Sequence, residues 1–412
     1  MFKTVIYNTG AQIAGKIITA SATLFVTILI GHALGEAGYG EFTKIFVFVG
    51  YFYALSDFGL NAIYIKLADR QNQLILLKSL LGMRLILSLG LAAVATLISF
   101  MIPYNPATGT GFSPLVKTGI ILASLTIVTQ SLFTTANAFF QKNLRYDLSA
   151  IAAVAGTIVI LFGALITTFQ KWGIFGYTSA YVFGGLTFVL VAFYLIFKKT
   201  KEITSPNFSS IFAKNFLKSS WPIGTALILN ILYFRIDILI MANTRPSAEV
   251  GLYGLAYQFF EASLAIPIFF ANSLYPLLSQ LHEVDFAKYK TQLKLWLKFL
   301  LVASIFLLIA LLVVAFFIPV IYQGRFAGSV PALQILAVGM PFFFISALLW
   351  HVLIIYGKQK YLIAIYGTGA VFNLAANLIL IPRYGYLAAA VVTVASEALI
   401  LLLLTLAIKL KK

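Results

Sequence analysis

The chain has 412 residues, of which 61% are hydrophobic and only 10% charged, with no cysteine and a formal net charge of +17. A water-soluble domain is about half apolar and a quarter charged, so this composition points to lipid as the solvent. Disulfides, thiolate nucleophiles and thiolate metal sites are excluded, and nucleic acid is excluded as a partner because Lys and Arg fall in short clusters between apolar runs, not on one basic face.

A helix needs about 20 mainly apolar residues to cross a bilayer. Twelve such runs are predicted, near 8–31, 38–64, 77–102, 115–140, 147–169, 174–197, 215–243, 251–280, 291–320, 330–356, 360–381 and 385–408. Met1 to Tyr7 lead into the first run without a small-residue cleavage site, so a retained first span is expected, not a removable signal peptide. A charge inside such a run costs about 2.5–3.5 kcal/mol at the bilayer centre, which makes the few ionisable residues there the best pointers to a cavity.

Run 1 carries Asn8, Gln12, Lys16, Thr19, Thr23 and Thr27 at steps of three and four, one stripe along a helix. Thr and Asn often join helices, but that role needs no full positive charge, so the stripe is expected to border a watery cavity. Run 2 holds Glu41 and Lys44, one turn apart and expected to pair locally, and Asp57, whose depth matches that of Arg84 in run 3 and predicts a salt bridge. In run 7, Arg235 and Asp237 are about 200° apart around the helix and cannot easily pair, whereas Asn230, Tyr233 and Asp237 share a face. Glu261 and Glu397 lie near the middle of runs 8 and 12. Burial disfavours a charged carboxylate, which suits a proton or cation coupling site, and a neutral, hydrogen-bonded structural role is the alternative. Pro267 and Pro276 are expected to kink run 8, His351 to sit at the interface, and Asn373 and Asn377, four apart, to join helices or line a cavity.

Between the runs, twenty basic residues fall on one set of connectors and ends, among them Lys3, Arg70, Arg145, Lys198, Lys199, Lys201, Lys214, Lys218, Lys411 and Lys412, against five on the alternate set: Lys117, Lys171, Arg245, Arg325 and Arg383. This bias puts both termini in the cytoplasm. The chain also repeats. Glu36-Ala-Gly-Tyr-Gly40 matches Glu249-Val-Gly-Leu-Tyr-Gly254, Lys142 matches Lys358, and Trp172-Gly-Ile-Phe-Gly-Tyr177 matches Tyr384-Gly-Tyr-Leu-Ala-Ala389, all at similar offsets. The expected fold is an all-α polytopic membrane protein of two six-helix lobes related by a pseudo-twofold along the membrane normal. Residues 1–200 form the N-lobe with spans 1–6, 201–218 the cytoplasmic linker, and 219–412 the C-lobe with spans 7–12. Transporters built this way carry substrate between their halves by alternating access. No phosphate loop, dinucleotide fingerprint, Ser/His/Asp arrangement or metal-ligand spacing is present, so no catalytic residue, metal or cofactor is expected.

Gly31-His-Ala-Leu-Gly-Glu-Ala-Gly-Tyr-Gly40 with Ser56-Asp-Phe-Gly-Leu60, Tyr233-Phe-Arg-Ile-Asp237 with Val250-Gly-Leu-Tyr-Gly254, and Leu274-Tyr-Pro-Leu-Leu-Ser279 carry a resemblance. In order and spacing they resemble the polysaccharide-biosynthesis flippases (Wzx-type), lipid-linked oligosaccharide exporters of the multidrug/oligosaccharidyl-lipid/polysaccharide (MOP) superfamily. The resemblance implies a MATE-like, V-shaped architecture in the cytoplasmic (inner) membrane. It implies transport of undecaprenyl-diphosphate-linked sugar units for surface polysaccharide such as O-antigen or capsule. A diphosphate needs cations, and Lys16, Arg84 and Arg235 are the available ones, with Asn8, Gln12 and Tyr233 lining the same cavity. Asp57, Asp237, Glu261 and Glu397 are the candidates for ion coupling or gating, with H+ or Na+ as the ion; membrane lipids are the other partners. Three rivals are weighed. A cation-coupled drug antiporter of the same superfamily would favour acidic groups over cavity cations. Lipid II flippases typically carry extra spans. A glycan polymerase or lipid-dependent glycosyltransferase usually has a large outer loop or soluble portion, which these short connectors do not provide.

Overall fold

In the computed structural model, residues 2–68 and 72–409 are described, without the side chains of 2–11, 13, 211, 226, 230 and 232. The expectations placed on the side chains of Lys3, Asn8, Arg70, Asn230, Lys411 and Lys412 therefore lie outside the described residues. Fourteen helices and one short hairpin follow in order: α1 (Phe2–Asp57), α2 (Leu60–Leu67), α3 (Gln73–Met101), β1 (Tyr104–Asn105), β2 (Thr110–Gly111), α4 (Pro114–Ala123), α5 (Leu125–Lys142), α6 (Tyr146–Gln170), α7 (Gly173–Thr200), α8 (Ser210–Thr244), α9 (Ser247–Val284), α10 (Phe286–Ile321), α11 (Ser329–Val338), α12 (Met340–Ile355), α13 (Gln359–Tyr384) and α14 (Tyr386–Lys409).

Among the described residues, nine helical runs are long and apolar enough to span a membrane, or eleven when two bent pairs are each counted as one span. The first run, Ala14–Leu67, has 54 residues. At about 1.5 Å per residue it would measure roughly 80 Å, more than twice the hydrocarbon thickness of about 30 Å. It is broken at Gly35, whose φ of 66° and ψ of −175° interrupt the helix; that φ favours glycine, which has no Cβ to clash. Two crossings fit in this run, which brings the count to the twelve expected from hydropathy. The run read as 115–140 is divided at Ser124 into α4 and α5, and the one read as 330–356 at Gly339 into α11 and α12.

Residue contacts divide the chain into two compact units, Met1–Arg235 and Ile236–Lys412. In the first unit, Leu60, Tyr64, Leu77, Leu80, Phe139, Phe140, Ala152 and Ile196 form a buried core that joins α2, α3, α5, α6 and α7. Phe216 of α8 is part of this core, and Ile223 meets the turn at Gly59. These contacts draw the start of α8 into the first unit, so the dividing point falls inside α8 and not in 201–218. In the second unit, Tyr253, Tyr257, Phe260 and Phe343 form an aromatic chain with centroids 5.5, 5.7 and 5.3 Å apart, packing α9 on α12.

Candidate functional site

The stripe on α1 meets α6 at a close approach. Gly15 lies so near Ala150 that an added Cβ would stand 2.8 Å from the Ala150 Cβ. Small residues at such crossings let two membrane helices touch along their backbones. The approach places the neighbours of Gly15, namely Gln12, Lys16 and Thr19, beside Tyr146 and Ser149 of α6, with Phe133 of α5 behind them. Together they line a cleft of about 260 Å³. Gln12 and Lys16 are exposed. The Ser149 hydroxyl donates to Asn137 Oδ1 at 2.7 Å. The hydroxyls of Thr19, Thr23 and Thr27 donate to Gly15, Thr19 and Thr23 carbonyls at 2.9, 2.8 and 2.9 Å. The threonine hydroxyls of the stripe are thus spent within α1, whereas the exposed Gln12 and Lys16 present an amide and an ammonium, groups that bind anions and sugar hydroxyls.

Arg84 is placed elsewhere. It is completely buried, and its Nη2 donates to Asp57 Oδ1 at 2.5 Å and to the Asp57 carbonyl at 3.3 Å. Its Nη1 reaches Thr135 Oγ1 at 3.4 Å, and its Nε has no hydrogen-bond partner among the described residues. The turn through Phe58 and Gly59, both at positive φ, ends α1 at Asp57. The salt bridge read from matching depth is present. Glu41 and Lys44 are both tied to the connector after α3: Glu41 accepts from Ser113 Oγ at 2.8 Å, and buried Lys44 donates to the Gly111 carbonyl at 2.9 Å. Arg145, read from the sequence only as a topology charge, grips Asp147 with two bonds of 2.9 and 2.8 Å.

In the second unit a set of polar side chains on α8, α9, α13 and α14 is buried. Asp237 is 3% exposed. Its Oδ1 accepts from the Ile238 amide at 2.7 Å, its Oδ2 accepts from the Tyr253 hydroxyl, and that hydroxyl lies 3.4 Å from Thr393 Oγ1. Three residues further along α14, Ser396 receives a bond of 3.1 Å from Asn373, whose Oδ1 receives one of 2.9 Å from Asn377. Asn377 Oδ1 is buried without a partner among the described residues. Glu397 is 3% exposed beside this group, and Glu261 is half-buried on α9. Tyr253, Thr393 and Ser396 were not singled out in the sequence. Tyr253 lies in the repeated Glu249–Gly254 motif, whereas Thr393 and Ser396 are polar residues on an apolar helix like many others in this chain. At the end of the first unit, Tyr233 is buried with its ring 5.0 Å from that of Phe234, and Arg235 is half-buried. His351 Nδ1 sits 2.9 Å from the Ala347 carbonyl, and its ring lies 5.2 Å from that of Tyr275, tilted by 47°.

At the α8–α9 corner, Arg245 holds Glu249 through bonds of 3.0 and 2.6 Å, and Glu249 Oε2 accepts from the Tyr386 amide at the start of α14 at 3.2 Å. The hydrogen bonds to Glu249 hold the Arg245 guanidinium above its ordinary value. The second copy of the repeated Glu-x-Gly motif is thus a structural tie between α9 and α14.

Residues 4–282, more than half of the chain, match the model of a family described as polysaccharide biosynthesis protein. The chain belongs to that family. An uncharacterized membrane protein of Methanocaldococcus jannaschii is 24% identical over 417 residues, covering 92% of this chain and 78% of that protein. The fold is similar to that of the lipid II flippase MurJ in its inward closed conformation, at 17% identity over 98% of this chain and 87% of that one, TM-score 0.74. It is equally similar to an inward-facing multidrug resistance MATE family transporter of the MOP superfamily, at 13% identity over 97% and 98% of the two chains, TM-score 0.74. A third structure is a MOP superfamily transporter from Pyrococcus furiosus, described by the reverse polarity of its binding pocket; it is 14% identical over 99% and 96% of the chains, TM-score 0.63. The protein is a multi-pass membrane protein with the MOP-superfamily fold. The fold is shared with solved flippases and transporters.

Proposed function

We propose that the protein is a flippase that moves polyprenyl-diphosphate-linked oligosaccharides across the cytoplasmic membrane by alternating access, with both termini in the cytoplasm. The observation that carries this reading is the Lys16 cleft, in a chain of the polysaccharide biosynthesis family. An exposed ammonium on a bilayer-spanning helix is expensive unless it meets water or an anion, and a diphosphate is an anion that lysine and arginine bind well. Lys16 and Arg235 take the phosphates, Gln12 and Tyr146 the sugar-proximal groups, and the lipid tail stays in the bilayer. Asp237 and Glu397 carry the coupling ion, H+ or Na+. Arg84 acts through Asp57, holding the end of α1. A drug antiporter gains nothing from a cation at position 16, because its cargo is itself positive.

The test is a flipping assay in inverted vesicles with a defined undecaprenyl-diphosphate-linked sugar. Lys16→Ala and Arg235→Ala are expected to lose transport while inserting normally. Unchanged rates in both variants would overturn the cation-cavity reading, and export of a cationic dye without sugar-lipid transport would favour the antiporter.

A further inference from the structure

The connector between α7 and α8 is bound down on α3. Glu202 pairs with Lys78 at 3.2 Å, and the Asn207 amide donates to the Lys78 carbonyl at 2.9 Å. Gly82 lies directly under it, where a Cβ would stand 2.4 Å from the Asn207 carbonyl oxygen. Beneath this strap opens a groove of about 460 Å³, walled by Leu81 and Leu85 of α3, Leu190, Phe193 and Phe197 of α7, and Ile203 of the strap. The Lys78–Glu202 contact fixes the start of α3 and the end of α7 at one level. From that level the groove runs inward: Leu85 is seven residues from Lys78, about 10 Å along α3, and Leu190 is eight from Lys198, about 12 Å along α7.

The groove is therefore amphipathic end to end. Its depth is aliphatic and aromatic, and just beyond its lining residues Tyr194 and Phe197, four positions along the chain in each case, stand the exposed Lys198 and Lys201. Its volume is in the range of about 300–1,000 Å³ typical of small-molecule sites. Basic clusters at the end of a membrane helix favour anionic headgroups. We propose that this groove is a binding site for one anionic phospholipid, with its phosphate at Lys198 and Lys201 and an acyl chain along Leu85 and Leu190, clasped by the α7–α8 strap. The site lies within the first unit and is independent of which substrate the Lys16 cleft takes. A zwitterionic lipid of the same chains fits the apolar wall but gains no net charge attraction at the mouth. The lipid would brace the segment that joins α7 to α8.

The experiment is native mass spectrometry of the detergent-solubilised full chain, titrated with phosphatidylglycerol, with phosphatidylcholine of identical chains, or with undecaprenyl phosphate. The wild type is expected to retain one phosphatidylglycerol in preference to phosphatidylcholine. Lys198→Gln and Lys201→Gln should each weaken that retention about five-fold. Leu190→Trp, at a position 69% exposed and hence tolerant of a larger side chain, should fill the groove and abolish the adduct, whereas Leu402→Trp in the second unit leaves it. Equal retention of the two phospholipids, or an adduct unchanged by Leu190→Trp, overturns the proposal. Displacement of phosphatidylglycerol by undecaprenyl phosphate also overturns it and assigns the groove to the tail of the transported lipid. If Leu190→Trp alters the circular dichroism spectrum, the double lysine variant decides alone.

Discussion

The Lys16 cleft of the first unit and the Asp237 site of the second handle polar groups in opposite ways. In the first, Gln12 and Lys16 stand exposed beside Tyr146 and Ser149 in a cleft. In the second, Asp237 is enclosed and its carboxylate is bonded by the Ile238 amide and the Tyr253 hydroxyl. The physical reason is the same in both. A charge in a membrane helix must find either water or a partner, because desolvating it alone costs several kcal/mol. A buried charge must be bonded within the protein, whereas an exposed one can meet water or an anion. Arg84 belongs to the buried kind although it lies in the same unit as Lys16, so the division follows packing, not position along the chain.

The comparison breaks first at Arg84 if it is wrong. Asp57→Leu would leave a completely buried guanidinium with only the Asp57 backbone carbonyl and Thr135 as acceptors. Removing one partner of a buried pair costs about 3–5 kcal/mol. Because the Asp57 side chain is 33% exposed, the lower end, about 3 kcal/mol, is expected. Thermal unfolding in detergent measures it, and Arg84→Met added to the same chain should recover most of the loss. A single variant as stable as the wild type would mean that Arg84 reaches water. Tyr253→Phe is the next largest. It removes one donor from the Asp237 carboxylate without changing the packing volume much, at about 1.5 kcal/mol for a hydrogen bond to a charged acceptor. No change in melting temperature there would mean that the Asp237 site is less sealed than its geometry indicates.

Much of this was legible in the sequence, and the limits follow from what a pattern can encode. Hydropathy runs marked the spans because a bilayer sets one length for all of them. The depth of Asp57 and Arg84 predicted their bridge because depth is one coordinate that a helix preserves. The stripe through Gln12 and Lys16 was legible because it is periodic, but Gly15, which brings α6 against it, is one glycine among 29. The network around Asp237 was not legible, since its partner Tyr253 lies 16 residues away, Thr393 lies 140 residues beyond Tyr253, and both are chosen by the rotation of α9 and α14 about their own axes. The breaks at Ser124 and Gly339 were missed because each interrupts the helix without interrupting the apolar run. Glu41 and Lys44 are one turn apart, which suggested a local pair, yet each also has a bond to the distant 103–114 connector.

Arg245 supplies a smaller test at an intermediate site, with its side chain 27% exposed and that of Glu249 20% exposed. Such a pair is worth about 0.5 kcal/mol after solvent screening, so Arg245→Gln should lower the unfolding temperature only slightly. Its pH dependence has a definite sign. The folded protein holds this guanidinium above its ordinary value, so the stabilisation is fully present below the unfolded value and is lost only as pH rises through the folded one. The difference between wild type and Arg245→Gln should therefore stay constant as pH is raised from neutral into the mildly alkaline range. A difference that shrinks over that range would show that the guanidinium does not control the corner.

The smallest expected change in stability is at Lys16, and it separates the two kinds of charge most sharply. The side chain is exposed, and substitutions at exposed positions usually stay within about 0.5 kcal/mol of the wild type. Lys16→Ala should melt with the wild type, whereas Lys16→Arg should keep transport because it preserves the cation. A structural role for Lys16 would make Lys16→Ala unstable and transport-deficient together, in proportion. A role in holding an anionic cargo makes it stable and inactive, with binding of the sugar-lipid diphosphate weakened more than that of the sugar portion alone, since only the diphosphate meets the ammonium. Measuring melting temperature and diphosphate binding on the same preparation therefore distinguishes a charge kept for the fold from one kept for the cargo.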